Sequence, residues 1–153
     1  MHRPLLRAEA IIRRSDGEAY LVQCDREESF YRFPGGGVEF GETAAEAIRR
    51  ELLEEFDLPV QVGPLVCLNE SLVEFDGRQR HDCTVLHWAA VEESAIRGAL
   101  THKEHPDIQL TWRTLKELKE RPLYPEGIWE ALERGLEEVV HLVIRRNYDR
   151  PEE

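Results

Sequence analysis

Three glutamates and an arginine stand close together in the run Arg50-Glu51-Leu52-Leu53-Glu54-Glu55, soon after the glycine turn Pro34-Gly35-Gly36-Gly37. Residues three and four apart are neighbours on a helix, so these carboxylates would share one arc of its surface. Carboxylates gathered in this way repel each other, and a folded protein rarely keeps them together without a cation. Oxygen ligands suit a hard divalent ion, Mg²⁺ or Mn²⁺, rather than zinc.

A helix from Glu42 to Phe56 is predicted to carry these glutamates. Thr43 with Glu46 three residues later is a capping-box pattern, which marks a helix start. One side of this helix is apolar and should face the core, through Ala45, Ile48, Leu52 and Phe56. A charged, solvated helix face that binds no ion is the competing interpretation, but the glycine turn together with the Arg-Glu and Glu-Glu pairs favours a site.

The spacing of these residues resembles the Nudix box, the signature of the MutT-like Nudix hydrolases. In that pattern a glycine is followed after five residues by glutamate, and after seven more by Arg-Glu-hydrophobic-any-Glu-Glu-any-Gly-hydrophobic. Gly36, Glu42 and the run from Arg50 satisfy every fixed position but one. Asp57 stands where the family has glycine, and we expect some strain there without loss of a catalytic group.

The resemblance implies a metal-dependent hydrolase that cuts nucleoside diphosphates linked to another group. It implies that the Gly36 carbonyl and the carboxylates of Glu54 and Glu55 are metal ligands. Glu51 is then a ligand of a second ion or the base that activates water, and Arg50 orients a glutamate through a bidentate contact. The ions would neutralise the diphosphate and lower the pKa of the attacking water. Arg50 and the three glutamates are therefore the candidate catalytic residues.

Candidate substrate-binding residues lie at the glycine turn and in the segment Leu68–Asp82. Glycines allow close approach of the backbone to a ligand, and basic side chains can contact phosphate. The segment loosely resembles a stretch in one bacterial Nudix subgroup, and its Asp82 could add a metal ligand or base. An exposed hairpin tip with surface charges is the alternative. The candidates for substrate contact are Arg32, Gly35, Gly37, Arg80 and His81.

Further polar and aromatic residues keep two interpretations open. Glu104, His105 and Asp107 form a loop where some family members place an extra acid, although a plain charged loop is the simpler interpretation. His87 is expected to be structural. Three aromatic residues could stack on a base or simply pack in the core: Trp112, Tyr124 and Trp129. The base, sugar and leaving group of the substrate are not determined by the sequence.

Composition limits the class of protein. The chain has 153 residues, which suits a single Nudix domain over residues 1–153, and a net charge of −11. Such acidity disfavours stable binding to nucleic acid or anionic membranes, while bound Mg²⁺ would still attract an anionic nucleotide. No long apolar run or signal peptide is recognised. Three cysteines without a CxxC pairing indicate reduced thiols, so we expect a cytoplasmic protein.

Strand-like and helical segments alternate along the chain, which predicts an α/β protein with a mixed β-sheet between helices; the resemblance supplies the α/β/α sandwich of the Nudix fold. Leu5–Arg13 and Glu18–Cys24 are predicted to form a hairpin. Further predicted elements are strands at Val60–Gly63, Leu65–Phe75 and Thr84–Val91, a short helix near Thr114–Glu120, a long amphipathic helix at Glu126–Arg146 and a frayed tail at Asn147–Glu153. A homodimer is expected from the family, through the N-terminal strand or the C-terminal helix.

Three rival functions remain. A non-catalytic Nudix-like nucleotide-binding module would not need the complete set of box glutamates. An isomerase of the isopentenyl-diphosphate type shares the fold, but carries an altered box and a catalytic cysteine that this box lacks. A structural interaction protein would use the acidic helix only as surface. A titration with Mg²⁺ or Mn²⁺ separates this last case from a metal-dependent enzyme.

Overall fold

The computed structural model describes residues 2–150. Its three helices are α1 (Ala44–Phe56), α2 (Leu115–Leu118) and α3 (Ile128–Arg134), with a 3-10 turn at Glu93–Ala95. Its strands are β1 (Leu5–Ile12), β2 (Ala19–Asp25), β3 (Tyr31–Arg32), β4 (Gly35–Gly37), β5 (Val60–Phe75), β6 (Arg78–Val91), β7 (Leu100–Thr101), β8 (Ile108–Thr114), β9 (Leu123–Tyr124) and β10 (Val140–Asn147).

The strands form two mixed sheets. In the first sheet the order is β10-β5-β6-β1-β4. There β10 runs parallel to β5 and β1 parallel to β6, while the other neighbours are antiparallel. In the second sheet the order is β7-β8-β2-β3-β9, with only the β3–β9 pair parallel.

Helices cover both sides of these sheets. The buried side of α1 packs with Ala10 and Ile12 of β1, whereas α2 and α3 belong to the core around Ile11. Successive side chains of a strand point to opposite faces, so β1 contributes to both cores. Each large aliphatic side chain buried in this way stabilises the fold by roughly 1.5–3 kcal/mol. The predicted α/β class and the α/β/α sandwich are confirmed.

The predicted hairpin of the first two strands is wrong in its pairing. Both strands exist, but β1 lies in the first sheet and β2 in the second, and a single bridge, Arg13 to Tyr20, joins them. Each strand is buried on both faces, as in the run Ala8 to Ile12. A strand of that kind needs partners on both edges and cover on both faces, so β1 and β2 diverge after the turn.

The predicted long helix Glu126–Arg146 is also wrong. Helix α3 ends at Arg134, because Gly135 takes a left-handed φ of 79°. The chain then forms β10, parallel to β5, with burial that alternates from residue to residue. Valine and isoleucine favour strands, and in this segment that preference and the free edge of β5 override the apparent helical stripe. Val139 and Val143 of that stripe are exposed.

The other predicted elements are largely confirmed. The two predicted strands at Val60–Gly63 and Leu65–Phe75 join as β5, with a register shift between them, and Thr84–Val91 is the second half of β6. The short helix is α2, with a complete capping box at Thr114 and Glu117. Part of the predicted tail is fixed, since Asp149 accepts hydrogen bonds from the hairpin tip. Residues 151–153 of that tail lie outside the described residues.

Within residues 2–150, no helix is long and apolar enough to cross a membrane. The three cysteines are free thiols. Cys24 and Cys67 are buried, and burial raises the pKa of the Cys67 thiol to about 11.

Candidate active site

Helix α1 is fixed at both ends by its own sequence. The Thr43 hydroxyl accepts a hydrogen bond from the Glu46 N–H at 3.1 Å, so the helix begins at Ala44, two residues later than predicted. At the other end Asp57 has a φ of 53°, the left-handed conformation that terminates many helices. The Lys103 ammonium pairs with the Asp57 carboxylate. Aspartate therefore performs the capping role that glycine has in the family pattern.

The glycine turn is held tightly between β1 and α1. It forms β4, in which Gly35 pairs with Glu9 and Gly36 with Ala8. A Cβ on Gly35 would lie 2.0 Å from the Ala8 carbonyl oxygen, and a Cβ on Gly36 would lie 2.5 Å from the Glu51 carboxyl carbon. Gly35 therefore allows close approach to the backbone of β1, and Gly36 allows close approach to the carboxylate of Glu51.

Arg50 connects the box glutamates to one another. Its Nε and Nη2 donate hydrogen bonds to the two carboxylate oxygens of Glu42, at 3.1 and 2.7 Å. Its Nη1 donates to Glu51 at 3.0 Å and to Glu54 at 3.2 Å, and Nη2 also donates to the Gly37 carbonyl at 3.0 Å. The hydrogen bond from Arg50 lowers the pKa of Glu42. The arginine thus fixes the relative positions of the helix and the glycine turn.

Glu55 and Glu51 form a close carboxyl pair. Burial, a hydrogen bond with Glu51 and the negative charge of Glu51 together raise the pKa of Glu55 to about 8. Two neighbouring carboxylates cannot both ionise without cost, so a divalent cation bound beside them would favour the ionised form of both. The Glu55 Oε2 atom is buried and has no hydrogen-bond partner among residues 2–150. A bound cation would satisfy a buried oxygen acceptor of this kind.

The carboxylates are not arranged as a complete set of metal ligands. Among residues 2–150, no three His, Cys, Asp or Glu side chains converge on one point. Arg50 lies against Glu51 and Glu54, and the Glu54 side chain is 59% exposed. The donor set nevertheless consists of hard oxygen atoms, with the unpaired Glu55 oxygen beside the closely packed Gly36 and Glu51. Glu51, Glu54, Glu55 and the Gly36 carbonyl are the residues that could hold Mg²⁺ or Mn²⁺.

A cavity of about 350 Å³ opens beside these groups, and we call it the carboxylate cavity. The glycine turn and the three glutamates form one side of it. His102, Glu104 and His105, from the loop after β7, form the other. Burial and the neighbouring His105 lower the pKa of the His102 imidazole.

A second cavity, of about 420 Å³, adjoins the first, and we call it the aromatic cavity. Its floor is polar and comes from β5 and β6, with Asn69 and Thr84 both buried there. Its walls include four aromatic side chains: Phe30, Phe75, Tyr124 and Tyr148. Flat aromatic walls over a polar floor suit a planar ring that carries hydrogen-bonding groups at its edge.

Three arginines line both cavities: Arg7, Arg32 and Arg80. Glu9 lies between two of them, with its Oε2 3.6 Å from Arg7 and 4.0 Å from Arg32. Burial raises the pKa of Glu9, and the two arginines oppose this effect. Arg80 donates to Asp82 at 2.7 Å. The acidic chain therefore places a belt of three arginines, each beside a carboxylate, where the carboxylate cavity and the aromatic cavity join.

The structure gathers most of the expected site residues. The carboxylate cavity is lined by Arg32, Gly35, Gly36, Gly37, Glu51, Glu54, Glu55 and Arg80, with Arg50 behind the glutamates. His81 lines neither cavity. It is exposed, and because Arg80 and Asp82 face the aromatic cavity, the strand alternation directs His81 to the other side of β6.

The other histidine and aromatic candidates mostly have structural contacts. His87 Nδ1 lies 2.9 Å from the Gly63 carbonyl. Trp129 donates to the Leu115 carbonyl at 2.7 Å, and Trp112 packs in the core with α1. Tyr124 lines the aromatic cavity, and Glu104 and His105 line the carboxylate cavity. Asp107 instead pairs with Arg26.

Arg7 and Glu9 are the main site residues that the sequence analysis missed. They alternate with the buried residues Ala8 and Ala10 in a strand that is otherwise apolar. Charged residues at alternate positions of a central strand share one face. That alternation was a signal for a polar site on this side of the sheet.

An α/β/α sandwich whose first helix presents glutamates beside a glycine turn is the arrangement of a hydrolase that acts on phosphorus-containing anhydrides. Residues 4–135 match the NUDIX domain, and the chain belongs to the Nudix family. Nudix hydrolases generally use divalent metal ions, and the chain is a hydrolase of this class.

Two characterised relatives and one solved structure are similar to this chain. A CTP pyrophosphohydrolase of Escherichia coli (strain K12) is 32% identical over 122 residues, 78% of this chain and 82% of that protein. An 8-oxo-dGTP diphosphatase of Haemophilus influenzae is 40% identical over 70 residues, 44% of this chain and 46% of that protein. The crystal structure of a MutT NUDIX hydrolase from Burkholderia pseudomallei has a TM-score of 0.63 at 24% identity, covering 88% of this chain and 99% of that one, which shows a common fold.

Proposed function

We propose that this protein is a Mg²⁺- or Mn²⁺-dependent pyrophosphohydrolase of nucleoside triphosphates. Water attacks a phosphorus of the triphosphate, a new P–O bond forms, and the bridging P–O bond breaks to release a nucleoside monophosphate and pyrophosphate. The family supplies the class of reaction, and the site supplies the arrangement that favours this substrate.

The observation that carries the proposal is the belt of three arginines between two adjoining cavities. The aromatic cavity suits a base, with aromatic faces for stacking and polar side chains at its floor. The carboxylate cavity suits the phosphates with their cations. Arg7, Arg32 and Arg80 line both, and arginine binds phosphate oxygens through its planar set of donors. A nucleotide that spans the belt places its anhydride beside the glutamates.

Glu51, Glu54, Glu55 and the Gly36 carbonyl would hold the divalent cation, which when bound neutralises phosphate charge and lowers the pKa of a coordinated water. Arg50 holds Glu51 and Glu54 by hydrogen bonds, so their carboxylates keep a fixed orientation. The glycine turn leaves room for the Glu51 carboxylate. Either Glu51 or a neighbouring glutamate accepts the proton of the attacking water.

CTP is the first substrate to test. The CTP pyrophosphohydrolase that is similar to this chain aligns with 78% of this chain and with 82% of its own length. 8-oxo-dGTP is the second, since the relative that hydrolyses it aligns over a shorter region. The buried amide of Asn69 and hydroxyl of Thr84 offer both donors and acceptors to a base edge.

Three further proposals concern the molecule as a whole. We propose that residues 1–153 form one Nudix domain, that the protein acts in the cytoplasm and that it forms a homodimer. The expected C-terminal contact would now involve strand β10 rather than a helix, because β10 is the edge of the first sheet, and Val143 on it and Val139 just before it are exposed.

A nucleotide panel tests the proposed function. Purified protein is supplied with Mg²⁺, with Mn²⁺ or with EDTA, and offered canonical and oxidised nucleoside triphosphates, ADP-ribose, NADH, diadenosine polyphosphates and nucleotide sugars. We expect metal-dependent pyrophosphate release from nucleoside triphosphates, CTP first, and none in EDTA. Turnover only of ADP-ribose or nucleotide sugars would overturn the triphosphate assignment. No turnover of any compound, with nucleotides still raising the melting temperature, would favour a binding module.

A further inference from the structure

The loop after β7 is attached to the end of helix α1 that carries Glu55. The Lys103 N–H donates to the Glu55 carbonyl at 2.8 Å, and the His102 N–H donates to the Ile108 carbonyl at 2.9 Å. The His102 ring packs edge-on against Phe56, with ring centroids 5.3 Å apart. His102 is 6% exposed. Its imidazole is therefore held in one place beside the carboxylate cavity.

Two backbone groups determine which nitrogen of this ring carries the proton. The N–H groups of Glu104 and His105 both donate to His102 Nδ1, each at 3.1 Å. An atom that accepts two hydrogen bonds presents its lone pair, so the proton of the neutral ring is on Nε2. The Nε2–H group then lies 3.7 Å from Glu55 Oε2, the buried oxygen that no described residue hydrogen-bonds.

We propose that His102 is a positioning residue, whose Nε2–H group orients the Glu55 carboxylate for metal binding. The present separation is longer than a hydrogen bond by roughly half an ångström, a movement within reach of the glutamate side chain. Partners of this kind, which hydrogen-bond a metal ligand rather than the metal, fix ligand orientation. The proposal rests on the metal role of Glu55 in the proposed function.

The same geometry argues against two other roles for His102. Nδ1 is occupied by two backbone donors, so it is not available as a metal ligand. Nε2 carries the proton, so it cannot accept one from water without giving up this tautomer. A hydrogen-bond donor toward Glu55 is the role that both nitrogens allow.

Two amide substitutions separate the two nitrogens. In His102→Asn the side-chain oxygen takes the place of Nδ1 and can still accept from the loop, but no donor reaches Glu55. In His102→Gln the longer side chain carries an amide N–H toward Glu55, while the acceptor at the Nδ1 position is lost. The probe is Mn²⁺ alone, titrated into the substrate-free protein, with the melting temperature measured in parallel.

We expect His102→Asn to weaken Mn²⁺ binding by about 10- to 100-fold, and His102→Gln to stay closer to the wild type. The melting temperature should follow the opposite order, with the glutamine variant less stable than the asparagine variant. In a Glu55→Gln background, His102→Asn should cause no further loss of Mn²⁺ affinity. In the active enzyme, His102→Asn should lower kcat with a smaller change in KM.

The inference would be overturned if His102→Asn bound Mn²⁺ as tightly as the wild type. It would also be overturned if the losses of Mn²⁺ affinity in the two variants merely paralleled their losses in melting temperature. If the wild type binds Mn²⁺ and only Glu55→Gln weakens it, the proposed site stands and the role of His102 fails. If the wild type binds no Mn²⁺, or Glu55→Gln leaves binding unchanged, the metal role of Glu55 fails and the inference with it.

Discussion

At the scale of single residues, the site depends on charge held in close contact. Arg50 hydrogen-bonds three glutamates and one carbonyl, and burial together with the neighbouring Glu51 raises the pKa of Glu55. Gly36 allows this arrangement, because any side chain there would meet the Glu51 carboxylate. The glycine turn therefore matters for the space it leaves as much as for its own conformation.

Gly36→Ala tests that statement. The new Cβ would lie 2.5 Å from the Glu51 carboxyl carbon, so the flexible glutamate must move. A displacement of about 1 Å at a catalytic group can cost roughly 100-fold in rate, and we expect a fall of that order in kcat/KM with little change in melting temperature. In a Glu51→Ala background the same substitution should cost almost nothing. Full activity of Gly36→Ala would show that the close approach to Glu51 is not required.

At the scale of elements, the C-terminal end of α1 shows how one departure from the family pattern is accommodated. Asp57 adopts the left-handed conformation that glycine takes most easily, and its carboxylate pairs with Lys103. Left-handed backbone costs a non-glycine residue roughly 1–2 kcal/mol, and less for aspartate. The exposed ion pair offsets little of this cost.

Asp57→Gly should therefore raise the free energy of unfolding by about 0.5–1 kcal/mol, after the greater flexibility of glycine in the unfolded chain is taken into account. Asp57→Ala is the matched comparison, and it should lower the free energy of unfolding, since alanine tolerates this conformation worse than aspartate. Urea denaturation measures both. Equal stability of the glycine and alanine variants would contradict a conformational cost at this position.

The elements also show where sequence patterns suffice. Helix α1 and its cap were predictable because the apolar side, Thr43 and the box spacing all agree. The strand at the end of the chain was not predictable. Val139 and Val143 fit a helical stripe, and the preference for strand β10 comes from the open edge of β5, which is far away in sequence. For the same reason the turn after β1 predicted a hairpin, although the partners of β1 are β4 and β6.

The residues of the candidate site also fall into two groups, those that local sequence patterns predict and those that they do not. The box residues are contiguous, so their proximity follows from helical spacing. Arg7, Glu9 and Asn69 reach the aromatic cavity from three different positions in the chain, and only the sheet order brings them together. His102 likewise depends on the docking of a loop onto α1. Contacts of this kind are set by tertiary packing, which local patterns do not contain.

At the scale of the whole molecule, two sheets and three helices bring charged side chains together at the two adjoining cavities of an acidic protein. The net charge is −11, yet three arginines meet where the two cavities join. Glu9 and Asp82 pair with these arginines, so the arginines offer an anion hydrogen-bond donors rather than a large net positive charge. The proposed nucleotide site therefore depends on the assembly of both sheets, whereas the proposed carboxylate ligands all lie on α1.

The most direct test of this account is the rate of pyrophosphate release from CTP, with Mg²⁺, by Glu54→Gln and by Glu46→Gln. Both residues are exposed on α1, but only Glu54 lines the carboxylate cavity. We predict that Glu54→Gln loses orders of magnitude in kcat at an unchanged melting temperature, while Glu46→Gln hydrolyses CTP like the wild type. Equal rates for the two variants, or failure of Glu54→Gln to fold, would contradict the catalytic role of the glutamates.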